Sequence, residues 1–256
     1  MNKIIKVNQI KHPYGKFKIW FFKRIKKSIQ KFITFFASFF VELKNDDQIL
    51  ISSATHAPWI SDKEFFLFYK KINEYTLLDE PRAFTLWQMS KNLRNIDASI
   101  VDVGCLMGGS GFILSRANKK GNVLLYDSFE GFNENDGLHK KETFYYNDLN
   151  MVKKNIKYFK LKNTYVEKTF FPHNLKKKIN RIKICHLDVN TFSETKKSFD
   201  WVDKKLIKNG IIIFDDFGIW GVDGIKRFIH LLEKKRSKDY IFLKNYFGQC
   251  ILIKKN

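Results

Sequence analysis

Asp102-Val103-Gly104-Cys105-Leu106-Met107-Gly108-Gly109-Ser110 is the stretch on which the reading of this chain turns. An apolar run at residues 100–103 leads into it and a helical pattern at 109–118 leaves it. Glycines between a strand and a helix let the backbone approach a ligand closely, and the helix N-terminus offers free N–H groups to an anionic group. Asp127 ends the next apolar run, 23 residues after Gly104, where an acid can accept both ribose hydroxyls of an adenosine. Asp102, Gly104, Gly108, Gly109, Ser110, Asp127 and Ser128 are therefore the candidate cofactor-binding residues. A purely structural tight turn with an unrelated acid at a strand end is the alternative.

The spacing narrows the cofactor. A dinucleotide loop has GxGxxG, and here the glycines stand at 104, 108 and 109, without the second glycine that admits a pyrophosphate. A P-loop needs GK[ST], and Gly109-Ser110-Gly111 lacks the lysine. A small loop for a methionine moiety and one acid for a ribose match the needs of S-adenosylmethionine.

Outward from the loop, apolar runs at 123–126, 182–187 and 211–214 alternate with helical stretches at 150–159, 193–208 and 223–235. Such alternation is the signature of a parallel sheet with crossover helices. Phe199, Val202 and Leu206 form one apolar face of the 193–208 stretch, and Asn209-Gly210 reads as its left-handed stop. The runs at 240–243 and 249–253 are joined by only five residues, too few for a crossover, so they are expected to pair antiparallel. A parallel sheet finished by a terminal hairpin is an arrangement of methyltransferases rather than of plain dinucleotide folds.

Carboxylates stand at the ends of the later strands: Asp188 after residues 184–187, and Asp215-Asp216 after 212–214. If those strands are neighbours, three anions meet at one edge of the crevice and call for a cation. Hard oxygen ligands suit Mg²⁺ better than zinc, which favours His or Cys. Otherwise one aspartate caps a turn and the others pair with lysine. His186, two residues before Asp188 and on the same side of its strand, is a candidate for helping to deprotonate a hydroxyl, or else a packed strand residue.

The runs Tyr126-Asp127-Ser128-Phe129-Glu130-Gly131-Phe132, His186-Leu187-Asp188, residues 209–218 and residues 248–254 resemble the macrocin-type sugar O-methyltransferases. The resemblance covers about residues 75–254, with the four blocks in the family's order. It implies an α/β, Rossmann-like class I methyltransferase fold: a mostly parallel sheet with a C-terminal antiparallel hairpin, preceded by N-terminal helices. It implies S-adenosylmethionine as methyl donor, and Mg²⁺ held by Asp188, Asp215 and Asp216 against sugar hydroxyls, with Asp188 also the general base. The chain departs from the family at Asn190, where a second acid is common, at Phe132-Asn133, where Leu-Pro is common, and at Asp102, where Glu is usual.

Residues 1–44 lie outside the resemblance and hold eleven Lys/Arg against one acid, Glu42, supplying +10 of the formal +21. From residue 17 to 43, Ile25, Ile29, Phe32, Phe36, Phe39 and Leu43 recur at helical spacing with Lys23, Arg24, Lys27 and Lys31 between them. The longest uncharged stretch, 32–41, is half of the roughly 20 residues that cross a bilayer. Two expectations stand for this basic amphipathic helix: an anionic membrane surface, or packing on its own domain or a homo-oligomer partner. No secretory leader is legible, and three scattered cysteines encode neither a disulfide framework nor a thiolate zinc site, so a cytoplasmic protein is expected, peripheral at the inner face of the membrane if the first of these two readings holds. The chain thus divides into 1–44, a linker and helical lid or cap at 45–98, and a catalytic core at 99–256. Nucleic acid is disfavoured as a partner, because bare carboxylates at the strand ends repel phosphate; a sugar or glycan acceptor is what the resemblance implies.

Overall fold

A computed structural model describes residues 15–41, 49–52, 54, 56–132, 135–136, 144 and 148–256, with side chains from 24 onward and that of Phe21. The chain divides at His56/Ala57 into two compact units. In the first, helix α1 spans Gly15–Ala37 and a turn follows at 38–40, so Phe39, expected on the helix, lies beyond its end. Leu43 and the Asn45-Asp46-Asp47 break fall outside the described residues. The segment read as linker and cap is split by the same boundary: up to His56 it groups with α1, and from Ala57 it belongs with the sheet.

The second unit is a seven-stranded sheet ordered β3-β2-β1-β4-β5-β7-β6. Its strands are β1 (Ser99–Val103), β2 (Val123–Asp127), β3 (Thr164–Lys168), β4 (Ile182–Leu187), β5 (Leu206–Phe214), β6 (Tyr240–Lys244) and β7 (Cys250–Lys254). The first five run parallel, and β7 is antiparallel to both β5 and β6, the expected terminal hairpin. Its helices are α2 (Pro58–Ser61), α3 (Lys63–Ile72), α4 (Glu80–Asn92), α5 (Gly109–Ala117), α6 (Leu149–Tyr158), α7 (Phe192–Asp203) and α8 (Asp223–Arg236).

Alternate residues of each strand point to opposite faces, which gives the sheet two cores. Ile100, Leu125, Ile184 and Ile213 bury against Phe65 and Ile72 of α3, Phe84 and Trp87 of α4, and Phe112 of α5. Val101, Leu124, Cys185 and Phe214 face Phe199 and Val202 of α7 and Phe228 and Ile229 of α8. The helices of the 57–98 segment are thus part of the core. Asp79 caps α4 through the Arg82 amide at 3.0 Å, and Asp62 caps α3 while also accepting from Trp87 and Lys91 of α4 at 3.1 Å. These bonds fix the entry angle of α4 over the C-terminal edge of the sheet.

Two expectations fail locally. The helix expected over 193–208 ends at Asp203, and Leu206 opens β5 opposite Ile182. Asn209, with φ of 59°, therefore lies in an irregular stretch inside the strand and stops no helix. Strand β3 was not foreseen: Thr-Tyr-Val-Glu-Lys is an edge strand, with little apolar content to betray it.

Candidate active site

The strand order reverses between β1 and β4, and ligands of open α/β sheets bind outside the C-terminal ends of the strands at such a point. There the structure has a crevice walled by Tyr75–Leu78, Arg82, Gly104–Leu106, Asp127, Ser128 and Asp188–Asn190, with Asp215 and Asp216 also lining it. Phe132 and Phe144, from the segment between β2 and α6, close another side.

The glycine loop is built for this place. Gly104 has φ of +81°, and a Cβ there would sit 1.9 Å from the backbone oxygen of Asp188, so only glycine lets β1 and β4 exit side by side. Gly108, with φ of 95°, is the N-cap of α5. A side chain at Gly109 would strike Tyr75 and Thr76 at 2.5 Å, so this glycine seats the short 3₁₀ turn that ends at Tyr75. Asp127 accepts from the amides of Leu106 and Phe129, both at 2.8 Å, tying the loop to the end of β2. Burial pushes its pKa up, against the pull of those amides. Asp127 also lines the crevice. The Ser128 hydroxyl donates to the Gly131 carbonyl at 2.9 Å, shaping the next turn.

Asp102 is not on the crevice wall. It is fully buried, accepting from Ser110 Oγ at 2.8 Å and meeting His186 Nδ1 at 2.7 Å. Register explains the pair, since Asp102 on β1 lies directly opposite His186 on β4. Asp102 and His186 therefore brace the loop from behind, through Ser110, which itself lines the crevice. Burial would lower the His186 pKa, but the carboxylates of Asp102 and Asp215 outweigh it and raise it to about 10. His186 is fully buried behind the crevice wall and faces Asp102 and Asp215, whose carboxylates favour its charged form. Its Nε2 lies 4.0 Å from Asp215 Oδ1, too far for a hydrogen bond, and has no partner.

The strand-end aspartates converge only in part. One ligand atom each of His186, Asp188 and Asp215 lies within 4.8 Å of the others, whereas Asp216 is outside that group. Arg82 Nη1 donates to both Asp215 Oδ2 and Asp216 Oδ1 at 2.7 Å. Gln249 donates to the other Asp215 oxygen at 2.7 Å. Burial pushes Asp215 up, yet His186, Arg82 and Gln249 together hold it below the usual carboxylate range. Burial and the neighbouring Asp215 raise Asp216 to about 6. Asp188 is driven well above its ordinary value by burial and by Asp216 and Asp215.

Arg82 went unread in the sequence, although a signal was there. The first turn of a helix disfavours a cation, so an arginine directly after the Asp79-Glu80-Pro81 opening of α4 calls for anions from elsewhere in the fold. Gln249 was quoted as part of a matching block without a role; it is fully buried and fixes Asp215.

A crevice at the switch point, a glycine loop tied to the acid that ends β2, and a sheet closed by an antiparallel hairpin are the features of a class I, S-adenosylmethionine-dependent methyltransferase. A model of the macrocin O-methyltransferase (TylF) family matches residues 75–239. The chain belongs to that family and is an S-adenosylmethionine-dependent O-methyltransferase. Among solved structures, the O-methyltransferase NovP aligns at a TM-score of 0.62 and 15% identity, over 71% of this chain and 83% of its own. The calicheamicin methyltransferase CalS11 aligns at 0.51 and 11% identity, covering 83% and 99%. An O-methyltransferase from Bacillus cereus, in complex with SAH, aligns at 0.50 and 15%, covering 79% and 93%. At such identities the likeness establishes the fold. No curated protein matches the chain.

Proposed function

We propose that this enzyme methylates a sugar hydroxyl of a glycan or glycan precursor, with Mg²⁺ held by Asp188, Asp215 and Asp216. The observation that carries the reading is the meeting of Asp188 and Asp215 at the open edge of the cofactor crevice. The residues fit a hard divalent cation: the ligands are carboxylate oxygens, and Asp188 is pushed up by its burial and by the neighbouring Asp216 and Asp215, which a cation would offset. Membership of the macrocin O-methyltransferase family supports a sugar as acceptor.

Methyl transfer from a sulfonium is an in-line displacement, so the enzyme must align two groups and give one hydroxyl alkoxide character. A bound Mg²⁺ supplies Lewis-acid polarisation of that hydroxyl. Asp188 follows the end of β4 beside the glycine loop and would take the proton. Gln249 and Arg82 hold Asp215 in position, and Phe132 and Phe144 offer apolar walls against which a sugar ring can lie.

The test is methyl incorporation from labelled S-adenosylmethionine into a panel of sugars and glycan precursors, before and after EDTA. Activity should vanish on chelation and return with Mg²⁺. Full turnover in metal-free protein, or turnover confined to catechol-type acceptors, would replace this reading with a metal-independent or small-molecule enzyme.

A further inference from the structure

We propose that α1 lies in the plane of an anionic membrane surface and holds the protein there, independently of what the active site methylates. Helical spacing sets Phe21, Ile25, Ile29, Phe32 and Phe36 along one side of α1, while Lys27 and Lys31 fall on the other. The apolar side is uncovered: Phe32 is 66% exposed, Phe36 56%, and Phe40 in the turn beyond 77%. Phenylalanines at 32, 35, 36, 39 and 40 touch one another, with ring centroids 5.0–6.2 Å apart, and form one continuous patch.

Burying such a patch in the boundary between headgroups and acyl chains removes it from water while the lysines stay among the phosphates. No helix among the described residues is long and apolar enough to cross a membrane, which leaves an in-plane orientation. Charge separates this occupant from two others. A second copy of the same segment would bring another +10 against it. A nucleic acid would use the lysines but leave nine large apolar side chains between residues 21 and 40 in water.

The experiment is co-flotation of the full chain with vesicles of pure phosphatidylcholine or of phosphatidylcholine mixed with phosphatidylglycerol. Strong binding to the mixed vesicles alone is expected. Lys27→Glu with Lys31→Glu should weaken it about tenfold or more, as loss of basic residues near a charged surface implies. Phe32→Ser with Phe36→Ser should abolish it at any salt concentration, with no change in melting temperature, because these positions are exposed. The idea fails if the wild-type chain ignores both vesicles, or if either double variant binds like wild type. It fails equally if the Phe variant merely turns a dimer into a monomer, or if the Lys variant loses only RNA binding. The contrast between the two vesicle compositions stands on the wild-type chain alone.

Discussion

At the entry end of β4, Lys183 is wholly buried and donates to Ile96 O, Asn118 Oδ1 and Lys120 O, each at 2.8 Å. Three residues on, at the exit end, His186 meets Asp102 through Nδ1 and leaves Nε2 without a partner, while Asp188 stands among carboxylates. Lys183 is skipped in the register with both neighbouring strands, so a bulge turns its side chain towards three ready acceptors. Among the described residues, six buried side-chain polar atoms lack a partner, and those of Arg82, Tyr126, His186 and Asn190 lie on or directly behind the crevice wall. One strand thus carries a charge whose needs are met by the fold, and a charge cluster whose needs are not. Buried polar groups are normally satisfied, and four of these six atoms gather around the crevice that the proposed cofactor and metal would occupy.

The sharpest break between the two ends should come from Asp188→Asn. Loss of a general base typically costs roughly a hundredfold to ten-thousandfold in turnover. Calorimetric affinity for S-adenosylmethionine should change little, because the glycine loop and Asp127 are untouched. Extra Mg²⁺ should fail to rescue this variant if Asp188 is both ligand and base. An Asp188→Asn enzyme with wild-type turnover would make the exit end as purely structural as the entry end.

Arg82→Gln probes the same end through stability. Removing one partner of a buried ion pair costs on the order of 3 kcal/mol, or several degrees in melting temperature. The sign with pH follows from Asp215, whose folded pKa is depressed partly by Arg82. Its contribution is present above the unfolded carboxylate value and is lost as pH falls through the folded one. The deficit of the variant should therefore be wide at neutral pH and close on acidification. Mg²⁺ should stabilise Arg82→Gln more than the wild-type chain, since Asp216 is released from the guanidinium. A deficit that ignores both pH and Mg²⁺ would mean that Arg82 serves packing alone.

What the sequence disclosed follows the same division. β1, β2, β4 and β7 announce themselves as apolar runs, because both faces of an interior strand are buried, while β6, at an edge, was legible from the apolar content of residues 240–243. β3 was hidden because an edge strand can carry Tyr165, Glu167 and Lys168. The 193–208 stretch misled because Leu206 keeps helical spacing with Phe199 and Val202 while belonging to β5. Asp188, Asp215 and Asp216 were legible from their places at strand ends. The partners that decide their charge were not: Arg82 reaches Asp215 across 133 residues, and no local pattern encodes that contact. Asp102 was legible as a loop residue but misread as a cofactor contact, because only the register with His186 shows where its carboxylate points.

The smallest effect belongs to the satisfied end and is a slope rather than a loss. Burial lowers the Lys183 pKa from its usual value to about 8, so the native state releases that proton earlier than the unfolded chain. Below pH 8 both states hold the proton and this term is flat. Between about 8 and the ordinary lysine value the unfolded chain binds more protons, and stability must rise with pH. The rise cannot exceed about 1.4 kcal/mol per pH unit for one group. Other titrating groups, buried tyrosines and cysteines among them, act in the opposite sense over the same range, so the quantity to measure is a difference. Urea unfolding of wild type and Lys183→Met across pH 7 to 10 should give a gap in favour of the wild-type chain that widens above pH 8. Lys183→Gln, which still donates to one or two of the three acceptors, should show the same pH trend from a smaller starting deficit. A gap that stays constant with pH would mean that Lys183 titrates as in the unfolded chain, and that the entry end is less completely buried than its three hydrogen bonds imply.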